Sequence, residues 1–173
     1  MLLPAAGDIL EIGPGNGDFL LALAAKHPKK KIVAIEIREK RFLKIAKRLK
    51  NAELKNVLLL HGDARVVLPR YFEGVEFEKI YILFPDPWPK QRHAFHRLLN
   101  RSFLALLALH LKPKGEWIVA TDSEEYAAST AEIARTIADL KTVSFERDFH
   151  ETFFEKVWKR EGKEITYLCY KKL

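Results

Sequence analysis

The densest set of groups able to grip a nucleobase lies in Phe84-Pro85-Asp86-Pro87-Trp88-Pro89-Lys90-Gln91-Arg92-His93. A carboxylate, an indole, two cations and an imidazole follow the apolar run Lys79-Ile80-Tyr81-Ile82-Leu83-Phe84, whose β-branched and aromatic residues suit a buried strand. Pro85, Pro87 and Pro89 each fix φ and remove a backbone donor, so neither strand nor helix continues through them. The stretch reads as a stiff loop at the carboxyl end of a strand, where open α/β sheets take ligands. There an indole can stack on a planar base while Lys and Arg hold phosphates. A proline-rich turn with a solvated basic tail is the bland alternative, and it leaves a second motif upstream unexplained.

That motif is Gly13-Pro14-Gly15-Asn16-Gly17, set between the short strand Asp8 to Ile12 and a helix repeating Phe19, Leu20, Leu23 and Ala24. Glycines after a first strand let the main chain approach a ligand and leave helix N–H groups free. The dinucleotide fingerprint needs a glycine where Asp18 stands, and no lysine-serine pair follows, which excludes a P-loop. Acids recur at strand ends: Glu11 before the turn, Glu36 closing the second strand, Asp63 closing the third. Glu36 is placed to accept from both hydroxyls of a ribose, and Asp63 from an exocyclic amine. So much negative charge repels a pyrophosphate and favours a cation. Each acid alone reads equally well as a cap or surface group; three at successive strand ends do not.

The elements that must position these groups follow from periodicity. Lys31 to Glu36 and Val57 to Leu60 read as strands, with a basic amphipathic helix between them from Arg38 to Lys50, burying Phe42, Ile45, Ala46 and Leu49. A short helix over 65–72, interrupted near Pro69, precedes strand four at 79–84. A helix is predicted from about Ala94 to Leu111, then a Pro113-Lys114-Gly115 turn into strand five, Glu116 to Thr121. Asp122-Ser123-Glu124-Glu125 reads as the cap and first turn of a helix reaching Leu140. Thr142 to Arg147 follows as a strand, Thr152 to Arg160 as a helix ending at Gly162, and Glu164 to Lys171 as a last strand. Alternating strands and helices imply a mainly parallel sheet covered on both faces, in one domain over residues 1–173.

Composition is globular, 48% hydrophobic and 31% charged, and no apolar run reaches the length of a membrane span. Met1-Leu2-Leu3-Pro4 lacks the parts of a signal peptide, so a soluble, cytoplasmic protein is expected. The single Cys169 excludes an intrachain disulfide or a cysteine metal cluster, and the spacing of His93 and His96 suggests no metal site. Net charge is +7, with twelve Lys/Arg against three Glu between Lys26 and Lys55. A polyanion is the natural partner, nucleic acid ahead of membrane, although a solvated helix face would carry the same charge.

Glu11-Ile12-Gly13-Pro14-Gly15-Asn16-Gly17 resembles motif I of the class I S-adenosylmethionine-dependent methyltransferases, and Glu36 and Asp63 match that fold's next two cofactor positions. Asp86-Pro87-Trp88 resembles the D-P-P-Y loops of methyltransferases acting on base nitrogens. The longer run from Phe84 to Lys90, with Arg92-His93, is similar to the signature of the bacterial tRNA (guanine-N7-)-methyltransferase family. Thr121-Asp122 and Thr152-Phe153-Phe154-Glu155 match the same family. The resemblance runs from Asp8 to the C-terminus. It implies a Rossmann-like class I methyltransferase fold, S-adenosylmethionine as cofactor, and N7 of a guanine in tRNA as acceptor.

By the same resemblance, Glu11, Gly13, Gly15, Gly17, Glu36, Asp63 and Asp86 fall at cofactor positions, and Asp86 also at the catalytic one. Lys90, Arg92, His93, Asp122, Thr152, Phe153, Phe154 and Glu155 fall at substrate positions, and Lys90 to Arg97 overlies a segment assigned to RNA contact. Two departures stand out: Phe95 and His96 interrupt the basic segment, and motif I begins at Glu11, where members usually carry a longer, often basic arm. Two outcomes are then expected: a weaker affinity for RNA, or a grip supplied by the helix from Arg38 to Lys50 instead. Trp88 is expected either to stack on the base or to wedge the loop; Trp117 and Trp158 are expected to be core or packing residues.

Guanine's Watson–Crick edge offers two adjacent donors, which the carboxylate of Asp122 or Glu155 is expected to accept, the competing role for Asp122 being a helix cap. Three readings stay open beside N7 of guanine: transfer to an exocyclic base amine, transfer to a protein side chain, and a silent RNA-binding module. Monomer and homodimer both remain open.

Overall fold

Two apolar runs, Ile9–Ile12 (β1) and Ile32–Glu36 (β2), are buried at every position. Strands need that only when covered on both faces, as in a parallel sheet. A computed structural model, describing residues 7–88, 92, 96–146 and 152–173, shows the arrangement. The remaining strands are Val57–His61 (β3), Phe77–Leu83 (β4), Leu111–Thr121 (β5), Leu140–Val143 (β6) and Thr166–Lys172 (β7). They form one sheet in the order β3-β2-β1-β4-β5-β7-β6. Only the two pairings made by β7 are antiparallel. The chain lays down β1, β2 and β3 toward one edge, then crosses back to place β4 on the other side of β1. This reversal opens a crevice at the carboxyl ends of β1 and β4, the switch point of an open α/β sheet.

Helices Asp18–Lys26 (α1) and Glu39–Asn51 (α2) cover one face, packing Phe19, Leu20, Leu23, Ile45 and Leu49 against Ile9, Ile32, Ala34, Tyr81 and Ile118. Phe42 and Ala46, expected in this core, are only half-buried. Helices Ala64–Tyr71 (α3), Arg101–Leu109 (α4) and Glu124–Arg135 (α5) cover the other face, where Leu68, Phe103, Leu104, Leu107 and Tyr126 meet Leu10, Ile12, Ile80, Ile82 and Val119. A last helix, Phe153–Arg160 (α6), leads into β7. Among the described residues no helix is long and apolar enough to cross a membrane.

Three boundaries differ from the sequence expectation. The fourth helix starts at Arg101, because the Asn100 side chain accepts from Phe103 N at 3.0 Å and caps it there. Pro113-Lys114-Gly115 is no turn. It lies inside β5, where a register shift against β4 and a left-handed Lys114 (φ 65°) absorb the irregularity. The fifth helix ends at Arg135, and the residues expected to extend it lead into β6, which runs from Leu140 only to Val143.

A Cβ at Gly115 would lie 2.8 Å from the Lys112 carbonyl oxygen and 3.0 Å from that of Glu78, both main-chain atoms that cannot swing away. Gly115→Ala should therefore destabilise the fold by about 1–3 kcal/mol. Thermal unfolding should show a melting temperature lower by about 2–4 °C per kcal/mol; an unchanged value would mean that the bulge relaxes freely.

Candidate active site

An open cleft of about 740 Å3 lies over the carboxyl ends of the parallel strands. It brings together Glu11, Gly13, Gly15, Glu36, Asp63, Asp86, Asp122 and Thr152 from opposite ends of the sequence. The glycine turn forms its floor. Gly13, Gly15 and Gly17 have φ of 71°, 61° and 81°, the left-handed region that side chains avoid. At Gly17, which caps α1, a Cβ would also press to 3.0 Å of Ile45. Main-chain amides from two segments grip Glu36: Gly15 N of the turn donates to Oε2 at 3.1 Å, and Arg38 N, at the start of α2, to Oε1 at 2.8 Å. Each oxygen keeps a lone pair for a further donor. Glu11 is 2% exposed, and its Oε2 has no hydrogen-bond partner among the described residues. Burial, and then the neighbouring Glu36 carboxylate, push its pKa up to about 8. A buried acid with an orphaned oxygen beside a second acid is a seat for positive charge.

Asp63 caps α3 by accepting from Arg65 N at 2.9 Å, and the Arg65 guanidinium bonds both its oxygens, at 3.0 and 2.6 Å. Those side-chain hydrogen bonds hold its carboxyl below the usual range. A ligand amine reaching Asp63 therefore shares it with Arg65.

Across the crevice the proline loop carries two residues in the left-handed region, Phe84 (φ 53°) and Trp88 (φ 43°). Phe84 N donates to Ala120 O at 2.7 Å, which ties the loop's start to β5. Its far end is held by Arg97. That guanidinium donates to Pro87 O (2.9 Å), Trp88 O (3.4 Å) and Glu125 Oε1 (2.9 Å), and lies over the Tyr126 ring. Arg97 was expected with the RNA-contacting cations; its side chain is only 9% exposed and faces inward. Nothing in composition separates it from its neighbours, and the signal that could have found it is its place ten residues beyond a carbonyl-rich proline turn. Asp86 projects outward, 68% exposed, with Arg38 Nη2 3.7 Å away. Trp88 is partly exposed and meets His96. Arg92 is exposed and does not line the cleft. Lys90 and His93 lie outside the described residues.

The opposite wall comes from the C-terminal third. Ser123, not Asp122, caps α5. Asp122 is left to accept from Lys163 Nζ at 3.1 Å. Thr152 caps α6 in a reciprocal box with Glu155, whose Oε2 accepts from Thr152 N at 3.3 Å. Glu155 is fully buried, also pairs with Lys159, and does not line the cleft. Phe153 and Phe154 form the first turn of α6, and their side chains lie outside those described. Trp117 packs in the core, stacked on Tyr170; Trp158 is not a core residue but lines the cleft, packed against the Lys163 ammonium. On the other rim, α2 leans its basic face on the glycine turn: Lys44 donates to Asn16 Oδ1, and Arg48 to Asn16 O and Asp18. Lys40, Lys47 and Lys50 remain exposed. Among the described residues no cluster of three or more His, Cys, Asp or Glu could hold a metal.

Residues 5–168 match a family model described as "Putative methyltransferase". The tRNA (guanine-N(7)-)-methyltransferase of Thermotoga maritima is 38% identical over 169 residues, 95% of this chain and 54% of that protein. The enzymes of the same name from Nitrosococcus oceani and Chlamydia abortus are 35% and 32% identical, over 95% and 91% of this chain and 71% and 72% of theirs. The chain thus spans about half the length of the Thermotoga relative. Among solved structures, the 16S rRNA methyltransferase KamB superposes with a TM-score of 0.70 at 18% identity, covering 99% of this chain and 89% of that one. An rRNA methylase of Streptococcus thermophilus gives 0.64 at 15%, covering 99% and 90%. Both show a Rossmann-like class I methyltransferase fold.

Glu11 gives the site a pH signature. Its carboxyl titrates near 4.5 in the unfolded chain and near 8 in the folded one. Between those values the folded protein holds a proton that the unfolded chain has lost, so stability falls as pH rises through the window. Melting temperatures of the ligand-free protein should drop from about pH 5 to about pH 9, and Glu11→Gln should remove much of that slope. An identical slope in the variant would place the titration elsewhere.

Proposed function

Because this chain belongs to the tRNA (guanine-N(7)-)-methyltransferase family, we propose that it transfers a methyl group from S-adenosylmethionine to N7 of a guanine in tRNA. One observation carries the reading: a buried, cation-seeking pair of acids, Glu11 and Glu36, faces the strained Asp86–Trp88 loop across a single cleft. S-adenosylmethionine, when bound, supplies an activated methyl on a sulfonium. Glu11 and the glycine turn would hold its charged end, Glu36 its ribose hydroxyls, and Asp63 its adenine. These residues fit that group through the buried Oε2 of Glu11, which has no hydrogen-bond partner among the described residues and whose proton a bound cation would release.

Guanine N7 carries an in-plane lone pair and no proton, so no base need act before transfer. The protein's work is alignment, exclusion of water and matching of charge as it passes to the purine. Asp86, at the edge of the cleft, is the carboxylate that follows this charge. Trp88 offers a stacking face for a base drawn from its helix, which costs a few kcal/mol. Asp122, free of capping duty and lining the cleft, is the acid for the guanine edge; Glu155 is committed to the α6 cap. The exposed cations of α2 give tRNA phosphates a track leading to the cleft. We place this activity in a single domain acting in the cytoplasm.

Incubating the protein with S-adenosylmethionine and tRNA, then analysing the nucleosides, should give 7-methylguanosine; a methyl on an exocyclic amine, or on protein, would replace this reading by another of the same fold. Glu36→Ala should lower cofactor affinity on the order of tenfold or more while circular dichroism stays unchanged. Unaltered calorimetric affinity would remove Glu36 from the site, and no binding by the wild type would leave a silent module.

Affinity for tRNA should fall steeply and log-linearly with salt. Lys44→Ala and Lys47→Ala should each reduce the slope by roughly one unit. If both leave affinity and slope alone, α2 faces solvent and the RNA lies elsewhere.

A further inference from the structure

Helix α6 ends in a way that plants one cation in the cleft. Gly162 takes φ 72°, Gly162 N donates to Lys159 O at 3.1 Å, and Lys163 N to Trp158 O at 2.9 Å. This is the Schellman pattern, in which the second residue past the cap folds back onto the side chain five positions earlier. That contact is commonly apolar. Here the Lys163 ammonium lies 3.5 Å from the centre of the Trp158 ring and 3.1 Å from Asp122 Oδ2, and all three residues line the cleft.

We propose that Lys163 is the donor that reads guanine O6, so that the Lys163–Asp122 pair offers the base the hydrogen-bonding edge of a cytosine. The inference rests on the methyl-transfer reading above and names a specificity residue for it. Guanine presents, in a row, an acceptor at O6, a donor at N1 and a donor at the exocyclic amine. Its complement is donor, acceptor, acceptor. An ammonium beside a carboxylate supplies that order. The ammonium carries three protons, and the carboxylate has lone pairs enough to hold Lys163 and still accept from the base. Adenine would turn its amine toward the ammonium and its N1 lone pair toward the carboxylate, two mismatches at once.

The indole fits the same geometry. The Lys163 ammonium sits over the Trp158 ring, 3.5 Å from its centre, and this contact with the Asp122 bond fixes the donor beside the carboxylate. Charge also works in favour. As the purine becomes cationic its N1–H turns more acidic and its bond to Asp122 strengthens, while Lys163, balanced by Asp122, adds no net charge near the methyl. The competing role is a half-exposed ion pair bracing the end of α6, and such pairs contribute little to stability.

The two roles separate in one set of measurements. Lys163→Met keeps the aliphatic stem over Trp158 and removes the donor. Its kcat/KM for methyl transfer to tRNA should fall about ten- to hundredfold, the worth of a charged hydrogen bond to a buried acceptor, with cofactor affinity and melting temperature unchanged. Lys163→Gln, which keeps a donor, should recover a large part. Transcripts containing 6-thioguanosine, whose sulfur accepts weakly, should be poor substrates for the wild type and carry no further penalty in Lys163→Met. Lys163→Met acting at the wild-type rate, or suffering the full sulfur penalty, overturns the assignment. A wild-type protein that leaves N7 unmethylated overturns the parent reading instead, and this one with it.

Discussion

Glu11 and Glu36 place two carboxylates near the carboxyl ends of adjacent parallel strands, each at most 2% exposed. Only Glu36 is held, and by main-chain amides alone. Burying a charge is tolerable when it is paired or neutralised, and among the described residues neither acid is ion-paired with a cationic side chain. The rest of the cleft follows from that constraint. The glycine turn has to pass close enough for Gly15 N to reach Glu36, which demands three residues in the left-handed region. α2 has to begin at once after β2 so that Arg38 N can bond the second oxygen. The remaining deficit sits on Glu11, whose pKa is pushed up to about 8 by burial and the Glu36 charge, so that near neutral pH a proton meets it.

The opposite wall solves a different problem, that of holding a strained loop without regular structure. Three prolines in five residues remove donors from the segment but leave its carbonyls. Arg97 uses those carbonyls, clamping Pro87 and Trp88 while its own charge is met by Glu125 and the Tyr126 face. The positive φ at Phe84 and Trp88 is thus sustained by bonds at both ends, one to β5 and one to the α5 side. Asp86 gains its outward aim from this frame and owes nothing to a partner in the core.

The strands and the gathering of acids with the glycine turn at one cleft were legible because they rest on local rules. Apolar runs closed by an acid, and glycines at the first turn, depend on few neighbours, and the mainly parallel sheet followed directly; its strand order, and with it the switch point, came from the structure. What escaped depends on distant contacts. The irregularity at Pro113-Lys114-Gly115 looks like a turn in isolation and becomes a bulged strand only because β4 pairs with both sides of it. Arg97 and Arg92 are the same letter five positions apart, yet one is buried and one exposed, and only the proline loop's carbonyls decide which. Trp158 reads from sequence only as a core or packing residue, whereas the helix ending at Gly162 brings it to the cleft, against Lys163.

Acids near the opposite wall of the cleft show how helix ends sort residues between capping and the cleft. Asp122, Ser123, Thr152 and Glu155 all carry groups that can cap a helix, and each of α5 and α6 needs only one cap. Ser123 takes the first and the Thr152–Glu155 box the second, so Glu155 is consumed and Asp122 is released. A released carboxylate at the rim of a cleft still needs a counterion, and the end of α6 delivers one, because Gly162 folds Lys163 back toward Trp158. The start of one helix and the end of another therefore leave a matched acid, cation and aromatic face at one point. No single motif in the chain records that conjunction; it arises from how two helices terminate.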